Sequence, residues 1–98
     1  MNTDDLIIRV RNWGREKALD DPKAQLNKVI EEVGEIAHEI TRNQRGPELV
    51  DAIGDTLVTL IILADILGYD AHTCLATAYM DIRDRKGKTE NGTFVREC

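Results

Sequence analysis

The sequence is poor in aromatic residues and cysteine, and it lacks a long hydrophobic run. Aromatic residues make up 4% of the chain, and its two cysteines, Cys74 and Cys98, have neither metal-site spacing nor the pattern of a disulfide framework. The longest apolar stretch, from Leu57 to Leu67, is interrupted by Asp65 and is well short of the roughly 20 residues that cross a bilayer. The N-terminus also lacks the basic start and the cleavage site of a signal peptide. We therefore expect a reduced, cytoplasmic protein that does not enter a membrane.

Positive charge is scarce as well. The chain has 13 Lys and Arg against 18 Asp and Glu, which gives a formal net charge of −5. A protein of this charge repels polyanions, so we expect no nucleic acid and no anionic membrane among its partners. Hydrophobic residues are 42% of the chain and charged residues 32%, the usual balance of a globular protein. Its 98 residues suffice for one core, so we expect one domain over residues 1–98.

Four stretches repeat apolar residues every three or four positions, which predicts four helices. The low aromatic content also favours helices over a β-sandwich. After about Arg85 the periodicity ends, and Asn91-Gly92 predicts a short irregular or hairpin-like tail. The expected fold is therefore all-α and four-helix bundle-like. Its helix boundaries are predicted at capping and helix-breaking residues, namely Thr3, Asp21-Pro22, Pro47, Gly68 and Asp70.

The third helix carries more apolar surface than one buried face requires. Val58 and Ile62 lie opposite its main stripe, and such a surplus usually packs against another copy. We therefore expect an oligomer with Val58 and Ile62 at the interface. The residues expected to form the core are Leu26, Val29, Ile30, Val33, Ile36, Ala37 and Ile40 in the second helix, Val50, Ile53, Leu57, Leu60, Ile61, Ala64 and Leu67 in the third, and Leu75, Ala78, Tyr79 and Ile82 in the fourth.

The second helix carries a row of carboxylates with no cation among them. Glu32, Glu35 and Glu39 share one helical face, and no basic residue lies between Lys28 and Arg42. A solvated acidic face is the simplest interpretation. Such faces, however, usually interleave Lys or Arg, because like charges three or four residues apart repel each other. The row therefore also suggests a site for a positive ion.

The third helix presents a second acidic face. Glu48, Asp51 and Asp55 share it, and it continues into apolar residues, as the wall of a pocket or an interface would. Two adjacent helices that present carboxylates at this spacing can surround a hard divalent cation. Glu35 and His38 also form the Glu-x-x-His element of di-iron bundles, but a second copy is missing. The sequence therefore favours Mg²⁺ over iron.

Two stretches, "KVIEEVGEIAHEI" and "ELVDAIGDTLVTLIILADILGYD", resemble the MazG-like, all-α nucleoside triphosphate pyrophosphohydrolases. The signature of that family is Glu-x-x-Glu on one helix and Glu-x-x-Asp on the next. Glu32 and Glu35 match the first pair, and Asp55 matches the Asp of the second. Ala52 stands where many members have a Glu. The resemblance extends from about residue 13 to about residue 95.

The resemblance implies a Mg²⁺ site, with Mn²⁺ as a substitute, formed by Glu32, Glu35, Asp51 and Asp55. Asp51 is our choice for the ligand missing at Ala52, and Glu48 is the alternative. The implied partners are a nucleoside triphosphate and further copies of the chain, as a homodimer or a homotetramer.

The implied reaction is hydrolysis of a (deoxy)nucleoside triphosphate to the monophosphate and pyrophosphate. Glu32 or its neighbour Glu31 would orient or deprotonate the attacking water, and Trp13 is the candidate for stacking on the base. The cations expected to neutralise the outgoing pyrophosphate are Arg83, Arg85, Lys86 and Lys88. Two alternatives stay open, a non-catalytic oligomeric interaction module with an acidic face and a metal-storage bundle.

Overall fold

The computed structural model of the protein describes residues 1–97 and contains four helices followed by a β-hairpin. The helices are α1 (Thr3–Glu16), α2 (Pro22–Thr41), α3 (Pro47–Ile66) and α4 (Ala71–Ile82). Strands β1 (Gly87–Glu90) and β2 (Thr93–Arg96) pair antiparallel. The predicted helical fold is confirmed, and the tail forms the hairpin alternative. Cys74 is exposed, whereas Cys98 lies outside the described residues.

The starts of α1, α2 and α4 are set by side chains that bind the first free backbone N–H groups, whereas α3 begins at Pro47 without a side-chain cap. Asp21 caps α2 and Asp70 caps α4, as predicted. Helix α1 is capped by Asn2, whose side chain accepts a hydrogen bond from the backbone N–H of Asp5 at 2.8 Å. The prediction of Thr3 as the cap was wrong by one residue, because Thr3 is already the first residue of the helix.

Helices α2 and α3 form an antiparallel pair through small buried side chains. Ala52, Thr56 and Thr59 of α3 are buried at the contact, together with Val29 of α2. The threonine hydroxyls donate to carbonyl groups of their own helix, so neither is left unpaired. Gln25 of α2 donates its side-chain amide to the backbone carbonyl of Thr59 at 3.1 Å. This buried bond fixes the start of α2 beside the second half of α3.

Helix α1 packs across the second half of α3. Gly14 allows the close approach, since a Cβ atom at that position would lie 3.1 Å from Cγ1 of Ile62. Ile62 is only 3% exposed. Beside this contact Arg15 binds Asp65 with two parallel bonds, Nε to Oδ2 at 2.9 Å and Nη2 to Oδ1 at 2.7 Å. One apolar contact and one bidentate ion pair therefore fix α1 on α3.

The apolar stripes that were expected to form the core are mostly exposed. Ile30 of α2 is 60% exposed and Leu57 of α3 is 57% exposed. Ile62, expected at the outer interface, is instead covered by α1 of the same chain, and Val58 beside it is half-buried. The assignment of the two sides of α3 was thus wrong. The exposed residues form one surface of the helix pair, here called the apolar face: Leu26, Ile30, Val33, Ile53, Leu57 and Leu60.

Helix α4 departs from its prediction in the same way. Leu75, Tyr79 and Ile82, expected to point inward, are all more than half exposed, and Ala71 is the one α4 residue that is not exposed. The helix contacts α1 and α3, and the hairpin strands contact each other and no helix within residues 1–97. No helix in that range has the length and hydrophobicity needed to cross a membrane.

The contact between Ile62 and Gly14 predicts a graded loss of stability when Ile62 is shortened. Ile62→Ala should lower the free energy of unfolding by about 2–5 kcal/mol and Ile62→Val by about 0.5–1.5 kcal/mol, because each leaves a cavity that α1 cannot fill. Chemical denaturation at one fixed protein concentration measures both. Equal stability of Ile62→Ala and the unmodified protein would contradict this packing.

The ion pair of Arg15 and Asp65 predicts a specific pH dependence. The hydrogen bond from Arg15 lowers the pKa of Asp65 below its ordinary value of 3.8. The stabilisation is therefore complete above that value and is lost as the pH falls through the lower folded-state pKa. The difference in melting temperature between the unmodified protein and Asp65→Asn should stay constant from about pH 7 to pH 5 and shrink below about pH 4. Glu16→Gln is the control, and a difference that persists undiminished in acid would refute the assignment.

Candidate active site

A cleft of about 660 Å³ opens between α1, α2 and α3. The cleft lies on the side of the α2–α3 pair opposite the apolar face. At about 100° per residue, the residues that line the cleft and those of the apolar face are roughly 160° apart around each helix. The cleft is lined by residues of the three helices and of the loop between α1 and α2: Trp13, Ala18, Leu19, Asp20, Asp21, Ala24, Gln25, Lys28, Glu32, Asp55, Val58, Thr59 and Ile62.

The acidic end of the cleft is formed by Glu32 of α2 and Asp55 of α3. The bond between Gln25 and Thr59 sets the register of the two helices, and in that register Glu32 lies beside the first half of α3. The side chain of Glu32 is only 15% exposed. The structure therefore brings together one residue from each of the two acidic pairs identified in the sequence.

Lys28 lines the same cleft one helical turn before Glu32, and sequence reasoning missed it. Its Nζ atom is 3.9 Å from Oε1 of Glu32 and 3.5 Å from Oε1 of Glu31. It is the one cationic side chain among the residues that line the cleft. The signal was present in the sequence, because Lys28 precedes Glu31 by three residues and Glu32 by four, the spacing at which helical side chains meet.

The other acidic candidates do not line the cleft. Glu35 and Asp51 are exposed, each one helical turn from a residue that does line it. The side chain of Glu31 is 62% exposed and turned toward Lys28. In the described part of the chain, no three side chains of His, Cys, Asp or Glu are arranged to hold a metal ion. The four-carboxylate ligand set therefore stays a prediction, of which the structure brings two members into one cleft.

The opposite end of the cleft is more apolar. Trp13 lines it and is 49% exposed, so about half of this residue is accessible. Leu19 and Asp20 reach the same end from the loop, where Ala18 adopts a left-handed conformation with φ of 56°. Leu19 and Asp20 were not among the predicted site residues, because a loop of this kind has no periodicity that indicates its direction.

The predicted phosphate-binding cations lie elsewhere in the single chain. Arg85 and Lys86 line a separate cavity at the base of the hairpin. Arg83 pairs with Asp84 at 3.4 Å, and Lys88 pairs with Glu90 at 3.0 Å. None of the four lines the cleft that holds Glu32 and Asp55.

Comparison with known proteins adds two findings. Residues 20–88 match the family model of the MazG nucleotide pyrophosphohydrolase domain. The fold is similar to the solved structure of a cyanophage S-2L MazG-like pyrophosphohydrolase bound to dGDP and three catalytic Mn²⁺ ions per active site, with a TM-score of 0.70 and 20% sequence identity over 100% of this chain and 99% of that chain. A search of curated proteins gave no match.

The family match includes both acidic helices and the residues that join them, and it spans well over half of the chain. The structural similarity, at its low sequence identity, independently supports the fold. The chain therefore belongs to the MazG family and is a nucleotide pyrophosphohydrolase.

Proposed function

We propose that the protein hydrolyses (deoxy)nucleoside triphosphates to the monophosphate and pyrophosphate in the cleft between α1, α2 and α3, and that it thereby removes nucleotides from the cellular pool. The observation that carries the proposal is the placement of Glu32 and Asp55 at one end of a cleft whose other end exposes Trp13. Its volume of about 660 Å³ suits a small-molecule ligand. The whole chain, residues 1–98, acts as one domain in this proposal.

The carboxylate oxygens that line the cleft suit a divalent cation. Mg²⁺ prefers oxygen ligands and is usually held by one or two carboxylates, with waters and substrate phosphates completing its shell. Glu32 and Asp55 supply two such carboxylates. Glu35 and Asp51, or Glu48 in place of Asp51, are the proposed further ligands. Mn²⁺ would substitute, as the ions in the S-2L structure suggest.

A bound cation would neutralise phosphate charge and make a nearby water more acidic. The protein's own groups then have separate tasks. Glu32, largely shielded from solvent, accepts the proton of the water that attacks the α-phosphorus, and Glu31 is the alternative base. Lys28 contacts Glu32 and holds its carboxylate in place. The indole of Trp13 stacks on the base.

We further propose that the protein is a homodimer, or a tetramer of two dimers, formed through the apolar face. The chain alone exposes 7689 Å², whereas a compact 11.0 kDa protein exposes roughly 5,600 Å². The excess of about 2,000 Å² per chain would correspond to roughly 4,000 Å² in a dimer, within the range of obligate homodimer interfaces. Two copies of the α2–α3 pair would form a four-helix bundle between chains. The clefts would remain open, because they lie on the other side of each pair.

Removing either cleft carboxylate should abolish the reaction. We expect Glu32→Gln and Asp55→Asn to lower the rate of pyrophosphate release about 10²–10⁴-fold, because each removes a ligand or the base. The melting temperature should hold or rise as like-charge repulsion is relieved. The assay measures pyrophosphate from a panel of triphosphates with and without Mg²⁺, and Glu16→Gln, outside the cleft, is the matched control. Near-full activity of Glu32→Gln would reject the site. No pyrophosphate from any triphosphate would favour the non-catalytic interaction module.

Charged substitutions in the apolar face should disrupt the proposed oligomer. Leu57→Glu and Ile30→Glu should convert the oligomer to a monomer or unfold it, because each places a charge in the proposed interface. Light scattering coupled to size exclusion measures the mass, and Lys23→Glu controls for an added carboxylate on α2. An unmodified protein that is active and stable at the mass of one chain would overturn the proposed interface.

A further inference from the structure

Gln25 is a buried polar residue in the wall of the cleft. It is 7% exposed, and its Nε2 atom donates to the backbone carbonyl of Thr59 at 3.1 Å. A carbonyl oxygen can only accept, so this bond sets the orientation of the side-chain amide. The amide oxygen, Oε1, accepts no hydrogen bond within residues 1–97, yet it is not one of the fully buried side-chain atoms there that lack a partner. Oε1 therefore faces the open volume of the cleft as a fixed acceptor.

Gln25 lies between the two ends of the cleft. It precedes Glu32 by seven residues, which is about 10 Å along α2. It follows the Asp21 cap by four residues, and so it lies near the loop that brings Asp20 to the end with Trp13. When the phosphates of a nucleotide lie at the acidic end, the sugar occupies the space beside them. The base is then the part of the nucleotide that reaches Gln25.

A second acceptor lies at the same end of the cleft. The carboxylate of Asp20 forms no hydrogen bond or ion pair within the described residues, whereas the carboxylate of Asp21 is engaged as the cap of α2. The loop is held by the backbone bond from the N–H of Leu19 to the carbonyl of Gly14 at 3.0 Å. Asp20 and the Oε1 atom of Gln25 therefore both present oxygen lone pairs to a ligand at this end.

We propose that Gln25, together with Asp20, selects triphosphates whose base carries an exocyclic amino group, namely guanine, adenine or cytosine. This inference rests on the proposed function and deepens it by naming the class of base. The N–H groups of the base donate to Oε1 of Gln25 and to the carboxylate of Asp20. No covalent step is involved, and the two residues act on substrate binding alone.

Bases without an amino group are rejected for a physical reason. Thymine and uracil carry a carbonyl oxygen on each side of their ring N–H donor, and these oxygens would face the oxygens of Gln25 and Asp20. The bound base also displaces water from Oε1, which then has no donor. A buried acceptor left unpaired is costly, so a site built to hydrogen-bond one group discriminates against an analogue that lacks it.

Matched substrate pairs test the proposal. The bases of 5-methyl-dCTP and dTTP differ in having an amino group or a carbonyl oxygen at the same ring position, and dGTP differs from dITP by its 2-amino group. In at least one pair the amino-bearing member should have a kcat/KM about 10-fold or more above that of its partner. In Gln25→Met, which keeps the length of the side chain, this ratio should fall about tenfold, because the acceptor is lost.

The ratio separates base selection from stability. Gln25→Met also removes the bond to Thr59 and should lower the melting temperature, but that loss affects both members of a pair alike. Thr56→Ala is the control, because Thr56 is buried at the same helix contact and does not line the cleft. This variant should lose stability and keep the ratio.

The outcomes distinguish this inference from the proposed function. Equal kcat/KM within both pairs, a preference for dTTP or dITP, or a ratio that Gln25→Met leaves unchanged would overturn the role of Gln25. Absence of pyrophosphate from every triphosphate would refute the proposed function instead. Titration calorimetry of the unmodified protein and Gln25→Met with dGMP and dIMP, and with 5-methyl-dCMP and dTMP, would then still decide whether Gln25 selects the base.

Discussion

The packing of α2 on α3 is the contact on which the rest of the structure depends. Small side chains at the contact, Ala52, Thr56 and Thr59, let the two helices approach closely. The buried bond from Gln25 then fixes how far one helix is shifted along the other. A different shift would separate Glu32 from Asp55 and would divide the apolar face. One register therefore determines both the acidic cleft and the surface proposed for assembly.

Helix α1 covers one side of the α2–α3 pair and leaves the other side exposed. Because Gly14 lets α1 lie against Ile62, α1 covers the side of α3 that also carries Asp55, and it contributes Trp13 to the cleft. The ion pair of Arg15 with Asp65 strengthens this docking. The other side of the pair receives no cover from the chain. The cleft is thus on the side that the chain encloses by itself, whereas the apolar face on the other side stays uncovered.

The wrong assignment of the two sides of α3 shows what the sequence could predict and what it could not. Helix existence and boundaries followed from periodicity and from caps such as Asp21 and Asp70, which act locally. The acidic faces of α2 and α3 are visible from spacing within each helix, and of the four proposed ligands Glu32 and Asp55 line the cleft. The sequence did not indicate which side of α3 is covered by α1. The exposed side with Leu57 carries more apolar residues than the side with Ile62, so it was expected to be the buried one. The deciding feature was the space at Gly14, a long-range steric fit that no local pattern records.

The incomplete cleft follows from the same architecture. Carboxylates on two adjacent helices repel one another, and a cation in the site compensates this cost. Within one chain Lys28 is the single basic residue that lines the cleft, and Arg85 and Lys86 line a separate cavity at the base of the hairpin. In the proposed oligomer, burial of the apolar face covers the side of the α2–α3 pair opposite the cleft, so that folding of this pair and assembly become linked. The oligomer is then less stable at lower protein concentration, as for any associating protein. The register of α2 on α3, and with it the placement of Glu32 and Asp55 in one cleft, would therefore be stabilised by the oligomer.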